Sequence, residues 1–347
     1  MNKRVLIIIT TYNSSDYIGD CLSSLAKVNY PTNDFEILVI DNDSHDGSVD
    51  YIKNSWPQIK LVETGHNLGF AAGNNVGFKY AIDHNFGYVY LLNQDTVVDP
   101  DFLVEAVKVA ESNEKNGAVQ SKLLLHQTNK INSIGNQIHY LGFAFAGGYQ
   151  LPNQSLKVKE IAYPSGASVL IKVSVLKEVG FFNPDFFMYH EDTDLGWRIW
   201  LYGYKVLLAP DSVVYHKYEF SRSIKKYYYM ERNRRIVIMQ NYHLGTVLLI
   251  LPALILMDLA MLVYSFPAGW GREYVKSLLY FLKLSNWKKI IKNRKLVQKN
   301  RRVSDRFMAK KIIGKIEFQD LKNPLLIYLA NPVLNFYWQV VKRVIWW

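Results

Sequence analysis

Three side chains, spread over more than a hundred residues, carry the chemistry open to this sequence. Asp95 closes the polar triplet Asn93-Gln94-Asp95 directly after the apolar run Tyr88–Leu92. Asp192 lies within His190-Glu191-Asp192-Thr193-Asp194, and His216 follows Val213-Val214-Tyr215. A carboxylate at a strand end suits a hard divalent cation, Mg²⁺ or Mn²⁺, which keeps few protein oxygens and draws the rest of its shell from phosphates. Imidazole is a tolerated ligand for Mn²⁺, so His216 is the candidate to complete that shell. Asp192 is the candidate base for a proton on an attacking hydroxyl. The set suits cleavage of a bond to a diphosphate, whose charge a cation neutralises without proton transfer. Each residue alone has a structural reading of at least equal weight: Asp95 capping a turn, Asp192 capping a helix, His216 a satisfied buried histidine. Their occurrence together, with several polar strand ends, favours a site.

Such a site needs elements that bring distant residues together, and the first 220 residues alternate between two periodicities. Val5–Thr10, Glu36–Asp41, Ile59–Glu63 and Tyr88–Leu92 are short apolar runs, as expected of strands covered on both faces. Between them, 16–28 and 71–84 carry helical patterns, and Asp99-Pro100 reads as an N-cap followed by the first helical position. Ser165–Ile171, Lys205–Ala209 and Val213–His216 read as further strands, and Leu195–Tyr202 as a helix. The 121–160 stretch is polar, rich in glycine in places, and carries no clear period. Alternation at this spacing predicts an α/β fold with a mainly parallel sheet flanked by helices. In such sheets ligands bind beyond the carboxyl ends of the strands. Thr10–Asn13, Asp41–Asp43, Gly65–Asn74 and Asn93–Asp95 fall there. The Gly65–Asn74 loop is neither the dinucleotide fingerprint nor a P-loop, and taken alone it reads as a plain turn. The missing fingerprint after the first strand argues against a nicotinamide-dependent dehydrogenase.

The net charge of +11 conceals a split. Residues 1–220 hold 17 basic and 24 acidic side chains, a net of −7, whereas 221–347 hold 24 basic and 6 acidic, a net of +18. The acidic part is a poor nucleic-acid binder, and the basic part calls for an anionic partner. Ser223–Gln240 reads as a helix carrying Arg232-Asn233-Arg234-Arg235, with Arg232-Asn233 read as a charged helix surface and contact with a diphosphate as the alternative. Leu244–Met257 and Leu259–Phe266 are apolar but interrupted by Pro252 and Asp258, which leaves spanning and shallow insertion both open. Trp346-Trp347 and the basic run 288–315 suit a membrane–water interface, with a packed helical subdomain as the alternative. The one cysteine, Cys21, fits a reducing compartment, and Val5–Ile9 is too short for the apolar part of a signal peptide.

Ile8–Asn13, Val39–Ser44 with Asp46-Gly47-Ser48, Asn67–Ala71 with Gly73-Asn74-Asn75, and Leu91–Thr96 form an ordered set of motifs. In that set the chain resembles family 2 glycosyltransferases of the GT-A fold. Phe187–Leu195 with Trp197-Arg198, Gly203–Val206 and His216 is similar to the rhamnosyltransferase-like branch, and the match covers residues 4–235. It implies an inverting transferase acting on a nucleotide-activated sugar. Thr10 and Tyr12 would line the nucleotide pocket, and Asp41 would accept a hydrogen bond from a pyrimidine ring. Asn67, Gly69 and Asn74 would line the nucleotide-sugar side, next to Asn93. Asp95 would hold the metal, Asp192 would be the base, Glu191 would orient the acceptor or the base, and His216 would approach metal and diphosphate. The family's metal motif has an acid where this chain has Asn93, which leaves one carboxylate.

The expected organisation is a catalytic domain over 1–221 and a helical, basic, aromatic region over 222–347. The expected function is transfer of a sugar, with rhamnose foremost, from a dTDP- or UDP-sugar to a glycan or lipid-linked acceptor in cell-surface polysaccharide synthesis. Its place would be the inner face of the cell membrane, with an anionic membrane surface as partner and nucleic acid disfavoured. A non-catalytic nucleotide-sugar-binding scaffold is the alternative that Asn93 keeps open.

Overall fold

The computed structural model describes residues 3–218, 224–317 and 323–347. The chain runs β1 (Val5–Thr11), α1 (Ile18–Leu25), β2 (Phe35–Asp41), α2 (Ser48–Ser55), β3 (Lys60–Glu63), α3 (Gly69–Asp83), β4 (Tyr88–Leu92), β5 (Thr96–Val98) and α4 (Phe102–Glu111). There follow β6 (Asn116–Leu125), β7 (Ile131–Ser133), β8 (Asn136–His139), β9 (Ala144–Ala146), β10 (Lys159–Glu160), β11 (Ser168–Lys172), α5 (Val173–Val179), α6 (Glu191–Leu201) and β12 (Lys205–His216). The remainder is α7 (Lys226–Asn241), α8 (Leu244–Ser265), α9 (Gly271–Leu279), α10 (Leu284–Asn300), α11 (Asp305–Met308), β13 (Ile312–Ile313) and α12 (Asn331–Val344). The chain divides into two compact units. One comprises Met1–Asn136, Ala146–Phe187 and Tyr204–Phe220; the other comprises Gln137–Phe145, Met188–Gly203 and Ser221–Trp347. The boundary expected between residues 221 and 222 lies outside the described residues.

The first unit is built on a sheet of order β10-β12-β6-β11-β4-β1-β2-β3. β4, β1, β2 and β3 are mutually parallel, as are β12 and β6, and β11 runs antiparallel between these two blocks. Central strands are apolar throughout because helices cover both faces. Val5, Ile7 and Ile9 of β1 join α1 and α4 in the main core, while Ile8 on the other face meets Gly77 of α3. A Cβ on Gly77 would stand 2.7 Å from Ile8, so glycine is what lets α3 lie this close to the sheet.

Some elements differ from the sequence reading. Helix α4 begins at Phe102, after Asp101, and Asp99 instead accepts the Asp101 N–H at 3.1 Å. Lys205–Ala209 and Val213–His216 are one strand, β12, with a register shift between Ala209 and Val213. The unassigned 121–160 stretch supplies the end of β6 and the short strands β7 to β10; β7 pairs back on β6, while β8 pairs with β13 and β10 with β12, far off in sequence. In the second unit, α8 is one helix through both Pro252 and Asp258.

Candidate active site

In the first unit the polar strand ends lie side by side, since β4, β1, β2 and β3 are adjacent and parallel. The turn leaving β1 is pinned by its neighbours. Tyr12 N–H donates to Gln94 Oε1 (2.9 Å), Asn13 N–H donates to Ser44 Oγ (2.9 Å), and Asn13 Oδ1 accepts from His45 N–H (2.9 Å). Tyr12 itself is exposed. At the end of β2, Asp41 Oδ2 accepts the Ser44 N–H at 3.0 Å, whereas buried Asp41 Oδ1 has no partner among the described residues. Thr10 Oγ1 and Asn42 Oδ1 share that condition. Buried oxygens are normally paired, so three unpaired ones on neighbouring strand ends mark a place where donors from outside the chain are wanted. Nearby, Asp46 accepts from Ser48 and the Ser15 N–H. Burial works against its charge, but these donors prevail and hold its pKa down at about 2.

The loop into α3 closes one side. Asn67 Oδ1 accepts the Gly69 N–H (2.8 Å), and Asn42 Nδ2 donates to the Gly69 carbonyl (3.1 Å). Gly69 has φ +76°, and a Cβ there would fall 2.5 Å from the Phe187 ring and 2.6 Å from its carbonyl oxygen. Ala71 N–H donates to that same carbonyl (3.0 Å). Asn74 is buried, and its side chain donates to the Phe70 carbonyl within the helix (2.8 Å).

At the end of β4, Asn93 is held through its backbone, its N–H donating to Ala167 O (3.0 Å) and its carbonyl accepting from Thr96 Oγ1 (2.7 Å). β5 pairs with the end of β12 and sets Thr96 opposite His216. Asp95 Oδ1 and His216 Nε2 are thereby 3.2 Å apart, and His216 Nδ1 lies 3.0 Å from Asn132 Oδ1. With Nδ1–H donating to Asn132, Nε2 presents a lone pair toward a carboxylate oxygen. With the proton on Nε2 instead, the same contact is an imidazole N–H donating to Asp95; in the first tautomer the pair is open to a metal. The donor set, one carboxylate and one imidazole oriented by an outer amide, fits a divalent ion. No group of three or more His, Cys, Asp or Glu ligands occurs among the described residues, so the remaining ligands of such an ion would come from phosphate and water.

Asp192 and Glu191 belong to the second unit. The helix expected from Leu195 begins at Glu191, so Glu191, Asp192 and Asp194 form the first turn of α6, where the helix end favours carboxylates. Asp192 Oδ1 accepts the Thr193 N–H at 2.7 Å. Glu191 is buried, and its Oε2 has no partner among the described residues. Burial and then the neighbouring Asp192 charge push the Glu191 pKa well above the usual carboxylate value. The turn into α6 is strained, with Tyr189 and His190 at φ 66° and 67°. Asn233 on α7 holds it, donating from Nδ2 to the carbonyls of Met188 (3.0 Å) and Tyr189 (2.7 Å). The basic run around Asn233 is therefore no charged surface. Arg232, Arg234 and Arg235 are buried because each has partners: Arg232 the Asn233 amide oxygen, Arg234 and Arg235 the carboxylates of Glu231 and Asp258.

Sequence reasoning missed Asn132, Asn233 and Phe187 as supports of these groups. Asn132 sits in the stretch without a period, and nothing local marks it. Phe187 and Gln94 both stand inside family motifs, and for Gln94 the position between two strand ends was the available signal.

Residues 6–180 match the profile of glycosyl transferase family 2. A poly-β-1,6-N-acetyl-D-glucosamine synthase of Staphylococcus epidermidis is 31% identical over 212 residues, which is 60% of this chain and 48% of that protein. The chain thus spans about half the length of that relative. Among solved structures, S. aureus TarS 1–349 in complex with UDP superposes with a TM-score of 0.52 at 17% identity, covering 98% of this chain and 90% of that one. GalNAc-T7 with UDP, GalNAc and Mn²⁺ gives 0.56 at 16% identity, covering 68% and 48%. On the family match and these superpositions, the chain belongs to glycosyl transferase family 2 and has the GT-A fold.

Proposed function

We propose that this chain is an inverting glycosyltransferase that moves a sugar from a nucleoside-diphosphate sugar to a glycan or lipid-linked acceptor. The finer reading is a dTDP- or UDP-sugar donor, rhamnose as the sugar, and cell-surface polysaccharide synthesis at the inner face of the membrane. The observation that carries it is the row of buried oxygens of Thr10, Asp41 and Asn42, without partners among the described residues, at adjacent strand ends. Asp41 Oδ1 is the acceptor for the imide N–H of a uracil or thymine, a donor that adenine lacks at the corresponding edge. Gly69 and Asn67 shape the loop beside the donor sugar, and Asn93 and Tyr12 flank it. The named complexes of TarS with UDP and of GalNAc-T7 with UDP and Mn²⁺ favour a nucleotide and a divalent cation here too.

Asp95 and His216 would hold Mg²⁺ or Mn²⁺, and the ion would supply charge neutralisation for the departing diphosphate. Asp192 removes the acceptor hydroxyl's proton as the oxygen bonds to the anomeric carbon, and the diphosphate leaves with the electron pair of the broken bond. Glu191, buried beside Asp192 in the first turn of α6, orients the acceptor or the base.

Release of nucleoside diphosphate from dTDP-rhamnose and a panel of UDP-sugars, with an acceptor extract and Mn²⁺, tests the reading. Wild type is expected to turn over at least one donor, and Asp192→Asn to lose that turnover while still binding nucleotide. Equal turnover in both removes Asp192 from the base role. Nucleotide binding without turnover of any donor, and without dependence on Mn²⁺, favours the scaffold that Asn93 keeps open.

A further inference from the structure

We propose that α8 lies flat on an anionic lipid bilayer, parallel to its plane, with its outward stripe seated in the headgroup region, and does not cross it. This deepens the membrane-surface part of the proposed function and is independent of the sugar chemistry. By composition α8 is a spanning candidate: 22 residues, mean hydropathy 2.5. Its attachments within the second unit decide otherwise. Asp258 is bound by Arg234 Nη2 (2.8 Å) and by Arg235 Nη2 (3.0 Å) and Nε (3.1 Å), and Tyr274 Oη donates to its carbonyl (2.9 Å). Arg234 in turn holds Glu231 on α7. At the other end of α8, Tyr337 Oη donates to the Leu249 carbonyl (2.6 Å), and Trp347 Nε1 donates to Thr246 Oγ1 (2.9 Å). Crossing would carry Asp258 and its two guanidiniums into hydrocarbon together with Glu231, or strip Asp258 of every partner on the way in.

The opposite face is exposed among the described residues. Leu244, Leu248, Leu251, Ile255, Leu259 and Val263 recur at spacings of three and four and are all exposed. α12 adds a second such stripe, Val333, Phe336, Val340 and Val344, while Trp338 and Val341 on its other side are buried. Of the 31 exposed large apolar side chains among the described residues, 26 lie in 224–347 and only five in the rest, so the feature is regional. Charge selects the occupant. The region bearing these stripes has a net charge of +18, so a second copy would meet like charge, whereas an anionic headgroup layer complements it. Exposed Trp346, Tyr328 and Tyr264 supply side chains that favour the interface.

The test uses the full chain with vesicles of phosphatidylcholine alone or with phosphatidylglycerol. Cys21 is fully buried, with its thiol pKa pushed up to about 12 by that burial, so single cysteines placed at Leu244 and Val263 report cleanly. These positions are about 28 Å apart along the helix axis. Co-sedimentation with phosphatidylglycerol vesicles is expected, weakened about tenfold or more both by high salt and by the triple change Leu248→Gln, Ile255→Gln, Leu259→Gln. Bimane on either cysteine is expected at one shared shallow depth when quenched by brominated lipids. Depths differing by most of the bilayer overturn the flat placement. Failure to bind phosphatidylglycerol vesicles overturns the lipid partner, and a dimer dispersed by the triple change would assign the stripe to a second copy instead. Nucleoside diphosphate release by the triple variant separates the two readings: if it persists while vesicle binding fails, this proposal falls alone.

Discussion

Replacing Asp41 by Asn probes the nucleotide pocket with a change of one atom. Asp41 is 2% exposed, with Oδ2 receiving the Ser44 N–H at 3.0 Å and Oδ1 unpartnered. A pyrimidine imide would give Oδ1 a second N–H, so both sides of the carboxylate would then face donors. An amide has one acceptor and one donor. Whichever way the Asn turns, its NH₂ opposes either the Ser44 N–H or the base, and a flip cannot relieve the conflict. The loss is one hydrogen bond to a charged acceptor, about 1.5–3 kcal/mol. At 1.4 kcal/mol per factor of ten, the Kd for UDP or dTDP rises roughly 10- to 150-fold. Isothermal titration of both proteins with UDP, dTDP and ADP is the assay, with a thermal melt to confirm folding. The loss should appear for UDP and dTDP, and ADP should bind weakly to both proteins. An unchanged pyrimidine Kd in a folded Asp41→Asn protein would refute the assignment of the vacant oxygen to the base.

Other consequences are as direct. Asp95→Asn and His216→Ala should each abolish the Mn²⁺-dependent part of nucleotide binding and leave the metal-free part intact, as should EDTA on wild type; titration with and without Mn²⁺ checks this. Gly69→Ala forces a left-handed backbone on a residue with a Cβ and drives that Cβ into Phe187, so destabilisation of about 2–4 kcal/mol is expected in urea unfolding. His139 and His190 are buried, and their pKa values fall to about 3, chiefly through burial, with Arg234 adding repulsion and the Gly314 backbone partly opposing it at His139. Because the unfolded chain takes up these protons from about pH 6.5 downward while the folded chain refuses them, stability is complete above that pH. It should drop by about 1.4 kcal/mol per pH unit for each histidine as the pH falls toward 3. Replacing either by Gln should reduce the slope of the urea midpoint against pH, and a flat profile between pH 7 and 5 would contradict the reading. Removing Asp258 as Asp258→Ala leaves Arg234 and Arg235 sharing one carboxylate, Glu231, among the described residues and should cost about 2–3 kcal/mol, discounted for partial exposure of the Asp258 carboxylate.

Much of the first unit was readable because its signals are local. A strand covered on both faces must be apolar along its length, as Val5–Thr11 and Tyr88–Leu92 are, and the polar residue that ends it stands next to it in sequence. Parallel β1, β2 and β4 then bring Thr10, Asp41 and Asn93 to one edge without further information. The 121–160 stretch was opaque because β7 to β10 are only two to four residues long, too short for a period, and β8 and β10 depend on the distant β13 and β12. β7 pairs back on β6, and Asn132 gains its meaning from His216, 84 residues away.

What the residues alone determined was the alternation of strand and helix, the motif order, and the contrast between an acidic front and a basic back, all properties of neighbours in sequence. Tertiary structure decided which charges meet. It buried Arg232, where a charged surface was expected, together with Arg234 and Arg235, gave Asp258 inside an apolar helix two guanidiniums, and set Asp95 against His216. The physical reason is that a side chain's charge is written in its own identity, whereas the partners that allow it to be buried are supplied by folding.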